Sequence, residues 1–443
     1  MADDASTRVP FRVQCAVYGA GLFSNSSLHL YNTIVPLWVG LVTRDPFIVG
    51  IVLGARHLLP LLFSIHGGAL MDRFGARRVL LILAAVSLVL PLLYPVLPFV
   101  TAMIVLQALS GYAVMTSWVG VQSMIGHAMA GRPVYAGRLT IATRIGMLAG
   151  PPAVGWAWDA GGAWGAFGMT ALWAAGTLLC TAALPATLGK SGEEAAPDTA
   201  PARTGWRDLL PRWSDYRDAF ALLAIPAIAT VVAVTMVRHA GVTLQGSFYV
   251  YYLGEVGISG KWIGFLFSCT GICGIVGLMC VGQVSKRFAP RPLLLTVIAI
   301  TILSVAVTPL LYRSGFVIEL AVLEDLLRPL GIAMDLTAIA PFLGFYILLM
   351  AAQGIRGFSG AFAQAMEIAM VAQSAGARAQ GKGAALRLTA GRLSAFVLPV
   401  AMGAFAKLVG LENAFYVVGG LILLVLAWLA TRAPKTAPVG EAG

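Results

Sequence analysis

Between residues 12 and 431 the sequence is a succession of apolar stretches, broken by short runs into which nearly all of the charge is gathered. A chain so patterned has too little polar surface to coat a core in water. Its 443 residues are 59% hydrophobic and 11% charged, with a mean hydropathy of +0.85, far from the composition of soluble domains. It reads as an integral membrane protein. In lipid, backbone hydrogen bonds must close within each segment, so apolar stretches of this length are helices. Windows of about 19 residues place spans at 12–42, 47–71, 78–97, 98–126, 137–158, 163–187, 219–253, 261–285, 292–312, 338–371, 384–406 and 410–431.

Twelve spans put both termini on one side. With the termini and even-numbered turns in the cytosol, 20 Lys and Arg lie there and five lie opposite, namely Arg44, Lys261, Arg313, Arg328 and Lys407. This is the positive-inside distribution, and it predicts a multi-pass protein of the plasma (inner) membrane with both termini cytoplasmic. The net charge of +11 is thereby assigned to membrane orientation, and no nucleic-acid partner is expected. The first apolar run is too long for a signal h-region, so no cleaved leader is expected. Cys15, Cys180, Cys269, Cys273 and Cys280 all fall in apolar segments, where a thiol behaves as a small hydrophobe. Neither a disulfide nor a metal site nor a cofactor is implied.

The densest polar turn is Gly68-Ala69-Leu70-Met71-Asp72-Arg73-Phe74-Gly75-Ala76-Arg77-Arg78. Glycines allow a sharp turn between two helices, and the arginines pin it to the cytosolic face. The run resembles motif A of the major facilitator superfamily, G-x-L-x-D-R-x-G-x-R-R. Internal repetition extends the resemblance. A shift of 214 lays Gly282, Arg287, Phe288 and Arg291 on Gly68, Arg73, Phe74 and Arg77; a shift of 248 lays Arg392, Pro399, Gly403, Ala414 and Phe415 on Arg144, Pro151, Gly155, Ala166 and Phe167. Between them, a shift of 246 lays Gln353, Gly357 and Phe358 on Gln107, Gly111 and Tyr112. The change of shift marks an insertion in the second half, at 313–341.

The resemblance implies an all-α membrane protein of 12 transmembrane helices in two pseudosymmetric six-helix bundles. Its parts would be 1–187, a first bundle; 188–218, a cytosolic linker; 219–431, a second bundle; and 432–443, a cytosolic tail. Residues 206–217 carry Trp206, Leu209, Leu210, Trp213 and Tyr216 at helical spacing, an interfacial amphipathic helix. Spans 1, 4, 7 and 10 would line the cavity, spans 2, 5, 8 and 11 would flank it, and spans 3, 6, 9 and 12 would face lipid. The last four carry no interior charge. Gly68, Asp72, Arg73, Gly75, Arg77 and Arg78 would form the cytosolic gate. Gln107 stands where proton-coupled members carry an arginine, and Gly146-x-x-x-Gly150-Pro151-Pro152-x-x-Gly155 resembles the antiporter motif C.

Once the loop cations are set aside, Arg56, Arg144, Arg238, Arg356 and Arg392 remain inside spans. A guanidinium at bilayer depth needs a cavity or a partner, and the spans offer few carboxylates: Glu367 near the inner end of span 10, Asp159 and Glu255 near the outer face. Internal pairing is therefore not expected to neutralise the set. The missing charge is read as a substrate anion, because Arg presents a planar fork suited to carboxylate or phosphate. Arg56, Arg238 and Arg356 are the expected anion ligands, with Arg144 and Arg392 as secondary basic residues. Asn25, His29, Gln107, Gln245 and Tyr249 would shape the pocket, Asn25, His29 and Asn32 forming one stripe and Arg238, Gln245, Tyr249 and Tyr252 another. Such stripes also arise from helix-to-helix hydrogen bonding.

With no mid-depth acid, His57 and His239 are the proton-carrier candidates. An adjacent cation disfavours a protonated imidazole and a bound anion restores it. The sequence has no phosphate-binding G-x-x-x-x-G-K-[ST] loop and no catalytic constellation, so neither an ATP-driven pump nor an enzyme is expected. The reading is a secondary transporter for a small organic anion, working as a monomer in contact with lipid. The alternative is a drug/proton antiporter exporting lipophilic compounds, whose cavity should be acidic and aromatic.

Overall fold

The computed structural model describes residues 9–129, 132–185, 226–316, 340–374 and 376–432. No strand occurs among them. The helices are α1 Phe11–Val42, α2 Pro46–Ala55, α3 Leu58–Phe74, α4 Ala76–Val96, α5 Val100–Ala128, α6 Pro133–Ala182, α7 Pro226–Leu244, a π-helical turn Gln245–Tyr249, α8 Val250–Glu255, α9 Gly260–Val284, α10 Pro290–Ala306, α11 Thr308–Arg313, α12 Ala340–Ser374, α13 Gly376–Val409 and α14 Leu411–Arg432. Helix α6 contains two expected spans. It breaks at Gly161 and Gly162, where φ reaches +56° at Gly162, a value that favours glycine, and the second leg returns along the first, bringing Gly165 against Ala157.

Eight helical stretches among the described residues are long and apolar enough to cross a bilayer, the two-legged α6 being one of them. The other expected spans coincide with α1, α7 through α8, and α10 through α11, which carry polar residues or breaks. The full count of twelve therefore rests on the sequence. The linker at 188–218, its amphipathic helix and the tail from 433 lie outside the described residues, as does 317–339 of the insertion.

Surface chemistry agrees with the expected lipid-facing spans. Ile82 and Val89 of α4, Leu172 and Leu179 of the second leg of α6, Leu303 of α10, and Leu424 and Trp428 of α14 are exposed and apolar. Cys15 is exposed as well, so the expectation of buried thiols fails there: α1 turns it outward just inside its N-terminus.

First-half and second-half helices meet at two equivalent crossings. At one, α6 packs on α9: a methyl group at Gly155 would overlap the Gly260 carbonyl, and one at Gly264 would overlap that of Pro151. At the other, α13 packs on α2: methyls at Gly50 and Gly403 would overlap the carbonyls of Pro399 and Pro46. Small residues permit such backbone approach in membranes. Pro151 and Pro399 correspond under the repeat, as do Gly155 and Gly403, so the segment that resembles motif C forms half of a symmetric seam.

Polar contacts secure the same end, which the charge distribution assigns to the outside. Asp159 of α6 accepts from the backbone N–H groups of Gly260 (2.7 Å) and Lys261 (3.0 Å), capping α9 across the halves. Asp45 caps α2 through Phe47 N–H (2.9 Å) and pairs with Lys407 of α13 at 2.6 Å. The hydrogen bond from Lys407 holds the Asp45 carboxyl below its ordinary value of 3.8. A depressed carboxylate is ionised above that value, so this bridge is lost only as pH falls below it. Arg44 lies 3.7 Å from Glu255 alongside.

Candidate functional site

A guanidinium in a membrane helix has to be matched by something, and the five intramembrane arginines are matched in different ways. Arg238 of α7 forms a buried ion pair with Glu367 of α12, and Thr235 Oγ1 donates to the same carboxylate at 2.6 Å. Arg238 is 7% exposed and Glu367 1%. The expectation that no internal carboxylate would serve these arginines is thus corrected for Arg238. Helix α12 reaches deep enough to present Glu367 to the face of α7 on which Thr235 and Arg238 lie one helical turn apart.

The rest of the α7 stripe follows the same direction. The chain passes through the π-helical turn Gln245–Tyr249, whose wider turn shifts the register of the helix beyond it. Gln245 donates to Gln353 Oε1 at 2.9 Å, and the Tyr249 ring lies 4.6 Å from the Arg356 guanidinium carbon. Tyr252 donates to Glu412 of α14 at 3.3 Å. Arg238, Gln245 and Tyr249 therefore bond α7 to α12, and among the expected pocket residues they join the helix-to-helix interface.

Arg356, 1% exposed, is held by neutral acceptors: the Ser304 carbonyl at 2.7 Å, Ser304 Oγ at 3.3 Å and Gln353 Oε1 at 3.0 Å. These saturate its donors but leave its charge in place. Arg56 sits at the break between α2 and α3. It donates to Asn32 Oδ1 at 3.1 Å and lies 4.8 Å from the centre of the Tyr31 ring. Its Nε and Nη2 groups are buried with no hydrogen-bond partner, a condition that costs about 1–3 kcal/mol per group and more for a charged one. Gln107 accepts from Tyr94 Oη at 3.2 Å, and Tyr94 stacks on Phe167 at 4.6 Å, so Gln107 backs this cluster from behind.

A second set is only half buried: Asn25, His29 and Asn32 of α1, His57 at the α2–α3 break, Arg144 of α6, His239 of α7 and Arg392 of α13. Arg144 Nη1 makes a weak contact with Met147 Sδ at 3.9 Å. It has no ion pair among the described residues. Arg392 crosses between halves to donate to the Pro60 carbonyl at 2.9 Å. His29 is within electrostatic reach of Arg56 and Arg144, and His57 within reach of Arg56, His239 and Arg392. His239 Nδ1 is 3.0 Å from the Thr235 carbonyl. A carbonyl only accepts, so Nδ1 carries a proton and Nε2 is the titrating position. Gly391 of α13 packs directly against this ring. The result is a basic region contributed by both halves, whose one carboxylate among the named residues is already taken by Arg238.

The repeat-related pair Arg144 and Arg392 is thus the more open pair, and Arg56, Arg238 and Arg356 the more enclosed. Residue order along the chain gives no signal of that exchange. The Glu367 pairing had one: Glu367 stands 129 residues from Arg238, on the pseudosymmetric partner helix of the cavity set.

At the turn resembling motif A, Gly75 adopts φ +81° and ends α3. Arg77 donates to the carbonyls of Leu184 (2.8 Å) and Ala182 (3.1 Å), closing the last turn of α6. Its repeat mate Arg291 does the same for Leu429 and Ala430 at the end of α14, both at 3.2 Å. Arg78 is exposed. The side chains of Gly68, Asp72 and Arg73 lie outside the described ones. Among the described residues no cluster of three His, Cys, Asp or Glu gathers at metal-binding distance.

A family profile described as Major Facilitator Superfamily matches residues 17–324. Among solved structures, the nucleoside transporter NupG aligns with a TM-score of 0.69 at 12% identity, covering 94% of this chain and 98% of that one. A POT family transporter in complex with a thioalcohol-conjugated peptide gives 0.68 at 12% identity, covering 96% of each. A bacterial homologue of the human lysosomal transporter Spinster, inward-facing and unoccupied, gives 0.61 at 13% identity, again covering 96% of each. At such identities the likeness is one of fold. No curated protein matches the sequence.

Proposed function

The chain belongs to the major facilitator superfamily, and from that premise we propose that it carries a small organic anion across the plasma membrane by alternating access, both termini in the cytoplasm. The observation that carries this reading is the unneutralised charge between the halves. Arg144 and Arg392 are half-buried with no carboxylate partner among the described residues, and Arg56 holds two bare N–H groups. A carboxylate or phosphate group would supply both the missing charge and the missing acceptors. Arg144 from the first half and Arg392 from the second would hold the anion, with Asn25, His29 and Asn32 along one wall. His57 and His239 stand where a proton could enter with it. Arg356 keeps its charge beside Tyr249, contributing field without contact.

Alternating access is then built on the seam. The two halves share small-residue crossings at the outer end, and rocking about a central site opens one end as it closes the other. An anion that touches both Arg144 and Arg392 binds best when the halves are close. A cavity for lipophilic cations would instead present a free acidic group, and Glu367, the acid nearest this region, is engaged by Arg238 and Thr235.

Thermal stabilisation of the purified protein tests the reading. Carboxylates or phosphates at 100 times their dissociation constant should add roughly 2.7 kcal/mol, visible as a raised melting temperature. The gain should vanish in Arg144→Ala and in Arg392→Ala. Stabilisation by lipophilic cations, unchanged in both variants, would replace the anion reading with the drug antiporter.

A further inference from the structure

We propose that Glu367 is the proton-binding group of this transporter and that it competes with the substrate anion for Arg238. The inference rests on the anion reading above and adds to it the residue that couples anion to proton. Three observations support it. Glu367 is the buried carboxylate that membrane depth requires to be explained, being 1% exposed and on a helix expected to line the cavity. It is held by two donors from α7, Arg238 and Thr235. The third observation is a connection to the half-buried region: Arg238 Nη2 lies 3.3 Å from His239 Nδ1, and His239 is within electrostatic reach of His57. A proton arriving at His57 or at Nε2 of His239 is thus one residue away from the pair.

The exchange balances in charge. In the structure described, the ionised carboxylate and the guanidinium sum to zero. When Glu367 takes a proton on its carboxylate oxygen, the Arg238 ion pair breaks and the guanidinium is left with one uncompensated positive charge. A substrate carboxylate or phosphate oxygen then takes the place of the Glu367 oxygen, and the sum is again zero. No covalent bond to carbon changes and no redox partner is needed. Thr235 Oγ1, now facing a neutral acid, can keep its bond by donating to the carbonyl oxygen of that acid. One proton accompanies each negative charge held at Arg238.

The charged and titratable groups around Glu367 favour this role. From α7 it faces Arg238 and His239. From α13, Arg392 is directed to Pro60 and to His57 rather than to the acid. From α9, the ionisable groups are Cys269, Cys273 and Cys280. From α10, Arg291 is committed to the end of α14. Among the described residues, Arg238 is therefore the guanidinium that Glu367 answers to.

Two measurements test the proposal, with benzoate, succinate and inorganic phosphate as the probes. The first is infrared difference spectroscopy of the wild-type protein in lipid, between pH 8 and pH 5, with and without each probe. A protonated-carboxyl band that grows on acidification, grows further when a probe is bound, and is missing in Glu367→Gln is the expected result. The second is probe affinity against pH. Wild-type affinity should rise about tenfold for each pH unit below the midpoint of the band, and in Glu367→Gln it should be high and flat. A wild-type spectrum in which no Glu367 band develops between pH 8 and pH 5 overturns the proposal whether or not Glu367→Gln assembles. So does a probe affinity with the same pH slope in both proteins. Failure of all three probes to bind, with the band still present and assigned to Glu367, overturns the competition for Arg238 and the anion reading together, while showing that the acid itself titrates.

Discussion

Arg238→Ala is expected to destabilise the protein by about 3–5 kcal/mol at neutral pH, the usual consequence of leaving one member of a buried ion pair behind. Glu367 would lose its cation while still enclosed by α7 and α12, keeping only Thr235 as a donor. The sign of the pH dependence comes from the same geometry. A buried carboxylate without its counter-charge is relieved by taking up a proton, so the penalty should shrink as pH falls from 8 to 5. Replacing both members by leucine removes the charge to be buried, and Arg238→Leu with Glu367→Leu should recover most of the loss. The check is denaturation of the three proteins in the same detergent at both pH values. If Arg238→Ala is as stable as the wild type at neutral pH, the pair does not hold α7 to α12. The double variant should still be inactive as an anion carrier, which separates the pair's part in stability from its part in transport.

Gly155→Val is expected to open the end of the protein that Asp159 and Asp45 secure. At this position α6 lies on α9 so closely that even a methyl group would overlap the Gly260 carbonyl. The obstacle is backbone and cannot swing aside. Overpacking of this kind costs about 1–3 kcal/mol, and the protein escapes it by parting the halves there rather than by unfolding either one. Each 1.4 kcal/mol is tenfold in an equilibrium, so the closed population should fall roughly tenfold or more. Ser268, 7% exposed and donating to the Leu148 carbonyl across the same crossing at 2.6 Å, is a suitable reporter. In a chain otherwise free of cysteine, Ser268→Cys should react with an impermeant maleimide at least tenfold faster when Gly155→Val is present. Gly403→Val, its repeat mate, should act alike. Equal labelling with transport retained would mean that the crossing is not part of the cycle.

How far the sequence carries can be seen in particular residues. Span positions were legible because charge is expelled from lipid-facing helices, and the exposed Ile82, Leu172, Leu303 and Leu424 fall where that rule puts them. The repeat was legible too, and it anticipates that Arg77 and Arg291 close equivalent helix ends and that Pro151 and Pro399 carry equivalent crossings. The site was less legible for a physical reason. A polar stripe on a membrane helix has the same spacing whether it faces water or another helix, and only packing decides between them. Arg238, Gln245 and Tyr249 proved to face α12, helped by a π-helical turn that no residue pattern announces. Likewise, the distance in sequence between Arg238 and Glu367 conceals that they touch, while Arg144 and Arg392 gain their openness from how the two halves meet.

The central claim is that the unneutralised arginines between the halves exist to hold an anion in transit. Uptake into proteoliposomes is the measurement that reaches it most directly, using whichever carboxylate or phosphate most stabilises the purified protein. The account predicts saturable uptake that other anions inhibit and lipophilic cations do not. It also predicts that uptake at low substrate falls roughly 10–100-fold in Arg144→Ala and in Arg392→Ala, the loss expected for a charge-assisted hydrogen bond of about 1.5–3 kcal/mol. Transport of lipophilic cations, with both arginine variants as active as the wild type, would contradict it.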